Sequence, residues 1–317
     1  MAKAEQIKSL IQSHLENDRE RFLTIAMQVA AHEARQGHNE LAQDIRTLVD
    51  QSKVTPLRVS SFKQGLDDLV EASSPDLRLP DLILSVGLRT RIERILREYR
   101  QQEKLKRHGL SNRRKILLAG PPGTGKTMTA SVIGGELHLA CYIIQMDKLV
   151  TKFMGETSAK LRQIFEMIRQ HRGVFLFDEF DAIGAERSRD NDVGEMRRVL
   201  NSFLQFIEKD ESGSIIIAAT NTHRLLDQAL FRRFDDILQY HLPTSNEIES
   251  LLVNRLGPFK GTLKVKVLAD KAKGLSHSEI TQACHDAIKD TILSGKGKVT
   301  KDLLSAMLDD RKAAYTS

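Results

Sequence analysis

The sequence predicts an α/β fold: a parallel sheet flanked by helices, preceded by a three-helix module and followed by a small helical domain. Three observations carry this. Five short apolar runs lie between residues 115 and 242, at KILLA (115–119), YII (142–144), VFLF (174–177), SIIIAAT (214–220) and ILQYHL (237–242). Helical stretches separate most of them, and strands alternating with helices pair in parallel with helices on both faces of the sheet. GPPGTGKT (120–127) directly follows the first run and satisfies G-x-x-x-x-G-K-[ST] in the order strand, loop, helix.

Taken from the N-terminus, residues 4–51 read as three helices. They run over Ala4–Leu15, over Arg19–Arg35 with Gly37 as its stop, and over Asn39–Val49. The module is bounded at 1–52. Residues 53–80 collect Ser, Pro and Asp (SSPDLRLP), lose periodicity and read as a linker. Leu88, Ile92, Ile95, Leu96 and Tyr99 then fall at helical spacing, with a basic outer side: eleven Lys/Arg face three Glu between Arg89 and Lys115. Such a tract is more often a solvated helix face than a nucleic-acid surface. The sheet domain spans 81–243, and after Pro243 only helical pattern remains, giving a separate domain over 244–317.

Composition narrows the class. At 317 residues, 40% hydrophobic and 28% charged with a net charge of +6, the chain is an ordinary globular one. Its purely apolar runs, such as Ile215–Ala219, are far too short to cross a bilayer. The start MAKAEQIKSL lacks the apolar core of a signal peptide. Cys141 and Cys284 have no spacing partners, so they read as core residues in a reducing compartment. A cytoplasmic location without membrane contact is expected.

The phosphate-loop motif carries the chemistry. Its residues Gly120, Pro121, Pro122, Gly123, Thr124, Gly125, Lys126 and Thr127, with Met128 next, would wrap backbone N–H groups around phosphate oxygens at a helix N-terminus. Lys126 would reach the β- and γ-phosphates of ATP, and the Thr127 hydroxyl would ligate Mg²⁺. The third apolar run ends in Asp178-Glu179, two carboxylates at the C-terminal end of a strand, where parallel sheets bind ligands. Asp178 is placed for the Mg²⁺ shell. Glu179 is placed as the base that orients and deprotonates a water attacking the γ-phosphate. Asn221 ends the next strand, where its amide can fix that water or touch the γ-phosphate. Arg232 and Arg233 follow on a loop, and guanidinium groups stabilise a transferring phosphoryl.

In order, GPPGTGKT, KFMGE, FLFDEFDAIG, AATN and LLDQALFRRFDDILQYHLP resemble the AAA ATPases, members of the AAA+ P-loop NTPases, over about residues 81–317. The last stretch is similar to the katanin- and spastin-like region with paired arginine fingers. That resemblance implies that Arg232 and Arg233 complete the site of the next subunit in a homo-oligomeric ring, usually a hexamer. GLSHSEITQACHDA resembles the family's nucleotide-facing segment of the helical lid, which would put His277 and Ser278 beside the adenine, with His277 in place of a glycine. Phe153, Met154 and Gly155 resemble the aromatic-aliphatic-glycine loop that lines the pore of protein-remodelling rings and grips an unfolded chain. An aromatic ring and a thioether make sequence-tolerant contacts. A buried helix staple is the plainer reading of Phe153.

The implied function is a remodelling, unfolding or regulatory ATPase acting on a protein partner. No H-E-x-x-H and no G-x-S-x-G occurs, so any proteolysis belongs to another protein, with a separately encoded serine protease as one candidate. Two other readings stand beside it. One is a nucleic-acid loader or regulator, suggested by the basic 89–115 tract; the other is an ATP-switched scaffold that recruits a partner through the N-terminal helices.

Overall fold

A computed structural model describes residues 4–15, 19–54, 66, 69–149, 154–183, 190–221 and 231–314. It divides into two compact units, Met1–Ser60 and Ser61–Ser317. The first holds α1 (Ala4–Leu15), α2 (Arg19–Arg35) and α3 (Asn39–Val54). Gly37, with φ +88°, takes the left-handed turn that follows α2. The α2 helix packs against both neighbours, burying Ala26, Val29 and Ala30 from its own sequence and Ala42 and Val49 from α3.

In the second unit the order is β1 (Val70–Ser73), α4 (Val86–Arg100), α5 (Gln102–Lys106), β2 (Lys115–Ala119), α6 (Lys126–Leu137), β3 (Ala140–Gln145) and α7 (Met146–Leu149). Then come α8 (Met154–Gln170), β4 (Gly173–Asp178), α9 (Asp190–Lys209), β5 (Ile215–Thr220) and β6 (Asp236–Gln239). The C-terminal helices are α10 (Ser245–Leu256), α11 (Val265–Lys271), α12 (His277–Leu293) and α13 (Lys301–Ala313). The sheet runs β1-β3-β4-β5-β2-β6, all parallel except for β1, which pairs antiparallel with β3.

Strand side chains alternate between two cores, one on each face, as period-two geometry requires. Leu117, Phe175, Phe177, Ile216 and Ala218 go to one core with Phe165 and Phe203. Ile116, Leu118, Val174, Leu176, Ile215 and Ile217 go to the other. The helix over 86–100 buries Leu88, Ile92, Ile95, Leu96 and Tyr99, all five expected from their spacing. Each such side chain, fully buried, contributes about 1.5–3 kcal/mol. A third core binds α10 to α13 together. Cys141 and Cys284 are buried free thiols whose pKa burial pushes up to about 12, so they are core residues. Among the described residues no helix is long and apolar enough to cross a membrane.

The tract read as a linker over 53–80 is structured in its second half. Val70–Ser73 forms the edge strand, in register from Val70↔Ile144 to Ser73↔Cys141. Four residues on an edge are too few to show alternation, which is why the pattern hid them. Beyond it the chain crosses α6: Leu79 N donates to Glu136 Oε1 at 3.1 Å, and Arg78 Nη1 donates to the Gly135 carbonyl. Gly135 allows this crossing, since a Cβ there would stand 2.1 Å from the Leu77 carbonyl oxygen and 3.0 Å from that of Pro75.

Gly135→Ala therefore sets two effects against each other. Helix propensity favours Ala by about 1 kcal/mol, while overpacking against backbone costs about 1–3 kcal/mol or more. The contact atom is a carbonyl that cannot rotate away, so the thermal midpoint should fall by several degrees. A raised midpoint would mean that the 75–79 segment does not sit on α6.

Candidate active site

Three adjacent strands, β4, β5 and β2, end at one edge of the sheet. The phosphate loop leaves β2 there, held to β5 by Gly120 N donating to Thr220 O at 3.2 Å. Gly120 has φ +151°, and a Cβ on it would meet Tyr240 O at 2.3 Å and Tyr240 Cβ at 2.7 Å. Only glycine lets the loop turn this close to the chain following β6. Thr124 closes the loop on itself, donating to Pro121 O at 2.7 Å. Gly125, with φ +97°, precedes the first turn of α6.

Lys126 is buried, and its ammonium donates three hydrogen bonds: to Gly120 O at 2.8 Å, Pro121 O at 2.9 Å and Asn221 Oδ1 at 2.8 Å. Burial pushes its pKa below the usual lysine value, and the Asp178 and Asp181 carboxylates pull it back up. Thr127 Oγ1 donates to Asp178 Oδ2 at 2.8 Å. Lys126, Thr127, Asp178 and Asn221, singled out from the sequence on three separate segments, are thus brought together. Glu179, next to Asp178, is exposed and has φ +53°, a left-handed conformation uncommon for a side chain of its size. Such strain concentrates at functional sites.

A hydroxyl beside a carboxylate is a hard-oxygen pair, and it fits Mg²⁺, which takes few protein ligands and keeps waters and phosphate oxygens for the rest. Among the described residues no cluster of three or more His, Cys, Asp or Glu could hold a metal, and such a site needs none. Backbone amides at the start of α6 and the charge of Lys126 fit the phosphates of ATP.

The lid helix α12 begins against the loop. Ser278 N donates to Gly123 O at 2.9 Å, and a Cβ on Gly123 would stand 2.5 Å from Ser276 Oγ. Ser276 caps α12, with Glu279 closing a capping box. Both ring nitrogens of His277 are buried and meet no hydrogen-bond partner among the described residues. Burial lowers its pKa below the usual histidine value, opposed by the Glu247 carboxylate, so the ring is neutral near pH 7.

Arg232 and Arg233 are exposed just before β6, and Arg233 Nη1 pairs with Glu208. They stand at the other end of the strands from the loop. Asp235 N donates to Lys115 O at the start of β2, about 13 Å of strand from Ala119. The chain's own arginines therefore lie at the far edge of the sheet from its own phosphate loop. Of the expected gripping stretch, Phe153 lies outside the described residues. Met154 and Gly155 open α8, which buries Leu161, Ile164, Phe165 and Ile168 further on.

Two positioning residues escaped the sequence reading. Asp181 Oδ1 accepts from Asn221 N at 3.2 Å, tying the turn after β4 to the end of β5. Tyr240, buried, shares a 2.6 Å hydrogen bond with Thr129 of α6 and covers Gly120 with its backbone. The third acidic residue of DEFD was a signal for Asp181; Tyr240 looked like an ordinary strand residue.

Lys126→Ala removes the buried cation of the loop and takes its donor from Asn221 Oδ1, Gly120 O and Pro121 O, the last of which keeps Thr124. ATP affinity, measured by calorimetry, should fall below detection. Affinity within threefold of the parent chain, a change of under about 0.7 kcal/mol, would take the phosphates away from this loop.

Comparison with known proteins agrees with this geometry. Residues 116–242 match the profile of the ATPase family associated with various cellular activities (AAA). An uncharacterized AAA family ATPase of Sinorhizobium fredii is 32% identical over 98% of this chain and 96% of its own length. The proteasome-activating nucleotidase of Saccharolobus islandicus is 29% identical over 82% of this chain, which spans 63% of that relative. The ATP-dependent zinc metalloprotease FtsH of Parabacteroides distasonis is 31% identical over 67% of this chain, but only 32% of FtsH is matched. With a relative matched nearly end to end and the phosphate loop assembled as its sequence requires, the chain belongs to the AAA family of ATPases, enzymes that hydrolyse ATP.

Proposed function

We propose that the chain forms a ring, a hexamer by family resemblance, that couples Mg-ATP hydrolysis to remodelling or unfolding a protein partner in the cytoplasm. The observation that carries it is the junction of Lys126, Asn221, Thr127 and Asp178 at three neighbouring strand ends. Lys126 binds the β/γ-phosphates, exchanging its carbonyl partners for phosphate oxygens. Thr127 and Asp178 would hold Mg²⁺, which supplies charge neutralisation at the phosphates. Asn221 orients the attacking water, and the Glu179 carboxylate accepts its proton. By family resemblance Ser278 and His277 would flank the base of ATP.

Placement of Arg232 and Arg233 at the far edge of the sheet supports a role in trans, on the neighbouring subunit's phosphates. A nucleic-acid reading has less support. Much of the basic 89–115 tract is engaged within the chain, through Arg91 with Asp236, Arg100 with Glu136, Arg113 with Glu98 and Arg114 with Asp210. The relatives named as a proteasome-activating nucleotidase and as FtsH favour a protein substrate, with a separate protease as one candidate partner.

Glu179→Gln should bind ATP but hydrolyse it at least about a hundredfold more slowly, as loss of a positioned base implies. It should also retain substrate protein in a pull-down. Turnover near the parent rate would move the base elsewhere.

Phe153→Ala separates the gripping role from the packing one. A gripping Phe153 leaves melting temperature and basal ATPase unchanged while substrate-dependent activity is lost. A packing Phe153 costs about 3–5 kcal/mol on truncation, read as a large drop in melting temperature with residual activity still coupled.

A further inference from the structure

The N-terminal unit is an incomplete bundle. The α2 helix packs against both α1 and α3, whereas α1 and α3 make no comparable contact with each other. A groove of about 830 Å³ is left over α2 between them, within the size range of ligand clefts. Its apolar lining comes from Ile7 of α1, Val29 of α2 and Leu41 of α3. Ile7 is 49% exposed and Leu41 50%, a poor use of large aliphatic side chains in a unit this small. The apolar surface continues along both helices. Ile11, one turn beyond Ile7, and Leu48, two turns beyond Leu41, are also exposed.

The polar lining is mixed, with His38 and Asn39 beside three carboxylates. Glu40 and Asp44 stand on the α3 side. At the base is the buried carboxylate of Glu33, which the His38 ring meets at 2.7 Å and holds below the usual carboxylate range. Apolar side chains on both walls with Glu40 and Asp44 on the α3 side match a helix with an apolar stripe and basic flanks. Seating it would complete a four-helix arrangement and bury Ile7 and Leu41 from both sides.

We propose that the groove between α1 and α3 docks a basic amphipathic helix of a partner protein, delivering that partner to the ATPase. This rests on the proposed function for its purpose, but not for its physics. Glu40 and Asp44 disfavour anionic membranes and polyanions at this face, which is why a basic helix is the occupant proposed.

The test uses the full chain and dye-labelled model peptides about five helical turns long. One carries leucine at helical spacing with lysine elsewhere, one is its scramble, and one replaces lysine with glutamate. By fluorescence anisotropy the Leu/Lys helix should bind at least about tenfold more tightly than either control. Ile7→Asp with Leu41→Asp should weaken it about tenfold or more, and Glu40→Lys with Asp44→Lys should turn the preference toward the Leu/Glu peptide. Basal ATPase should be unchanged in every variant, as should helical content by circular dichroism.

Equal binding of the scramble overturns the proposal, as does binding that survives Ile7→Asp with Leu41→Asp but is lost in Phe153→Ala, which would put the peptide at the other expected grip. Two further results also sink it. One is a change in sedimentation with Leu41→Asp and none in peptide affinity, which would assign the groove to a second copy of this chain. The other is binding to phosphatidylcholine–phosphatidylserine vesicles that the aspartate substitutions abolish. In each case an intact ATPase rate leaves the enzymatic reading standing.

Discussion

A buried ammonium must have acceptors, and in this chain the acceptors decide which segments meet. Lys126 satisfies all three of its donors within the site, on two carbonyls of the loop that precedes it and on the amide of Asn221. An uncompensated buried charge costs several kcal/mol, so the end of β5 cannot drift from the loop without breaking the arrangement. Asp181 ties the same strand end to the turn after β4. The catalytic edge is thus held by polar links drawn from three strands, over two apolar cores that fix the strands beneath it.

Close backbone approach is the second constraint. Gly120 passes against Tyr240, and Gly135 lies under the 75–79 crossing, each at distances that a single methyl would violate. Tyr240 adds a hydrogen bond to Thr129 beneath the first turns of α6, so the strand closing the sheet also steadies the helix that begins at Lys126. Phosphate-loop geometry is therefore a property of the sheet domain as a whole, not of eight residues.

Much of this was legible in the sequence, for identifiable reasons. The central strands are buried on both faces and read as unbroken apolar runs, and Leu88 to Tyr99 kept helical phase because one face alone is buried. Lys126, Thr127, Asp178 and Asn221 could be named because strand-end chemistry follows directly from each apolar run. The strand at Val70–Ser73 was illegible: it is four residues long and takes its register from β3 rather than from any alternation of its own. Tyr240 was read as filler because its role is a contact with Thr129, over a hundred residues away in sequence. Asp181 shows the limit of motif reading, since a third carboxylate in DEFD gains meaning only when the neighbouring strand arrives.

The seam between α12 and the phosphate loop has a mechanical consequence. Ser278 N holds the Gly123 carbonyl at 2.9 Å, and Ser276 fills the space where any side chain on Gly123 would go. That contact lies at the root of a helix of 17 residues, a rod about 25 Å long. Near a pivot, displacement at the far end grows in proportion to distance, so a sub-ångström shift of the loop becomes a swing of several ångströms at the tip of α12. With α10, α11 and α13 packed on that rod through one shared core, any displacement passed through this contact would be carried by the C-terminal helices together.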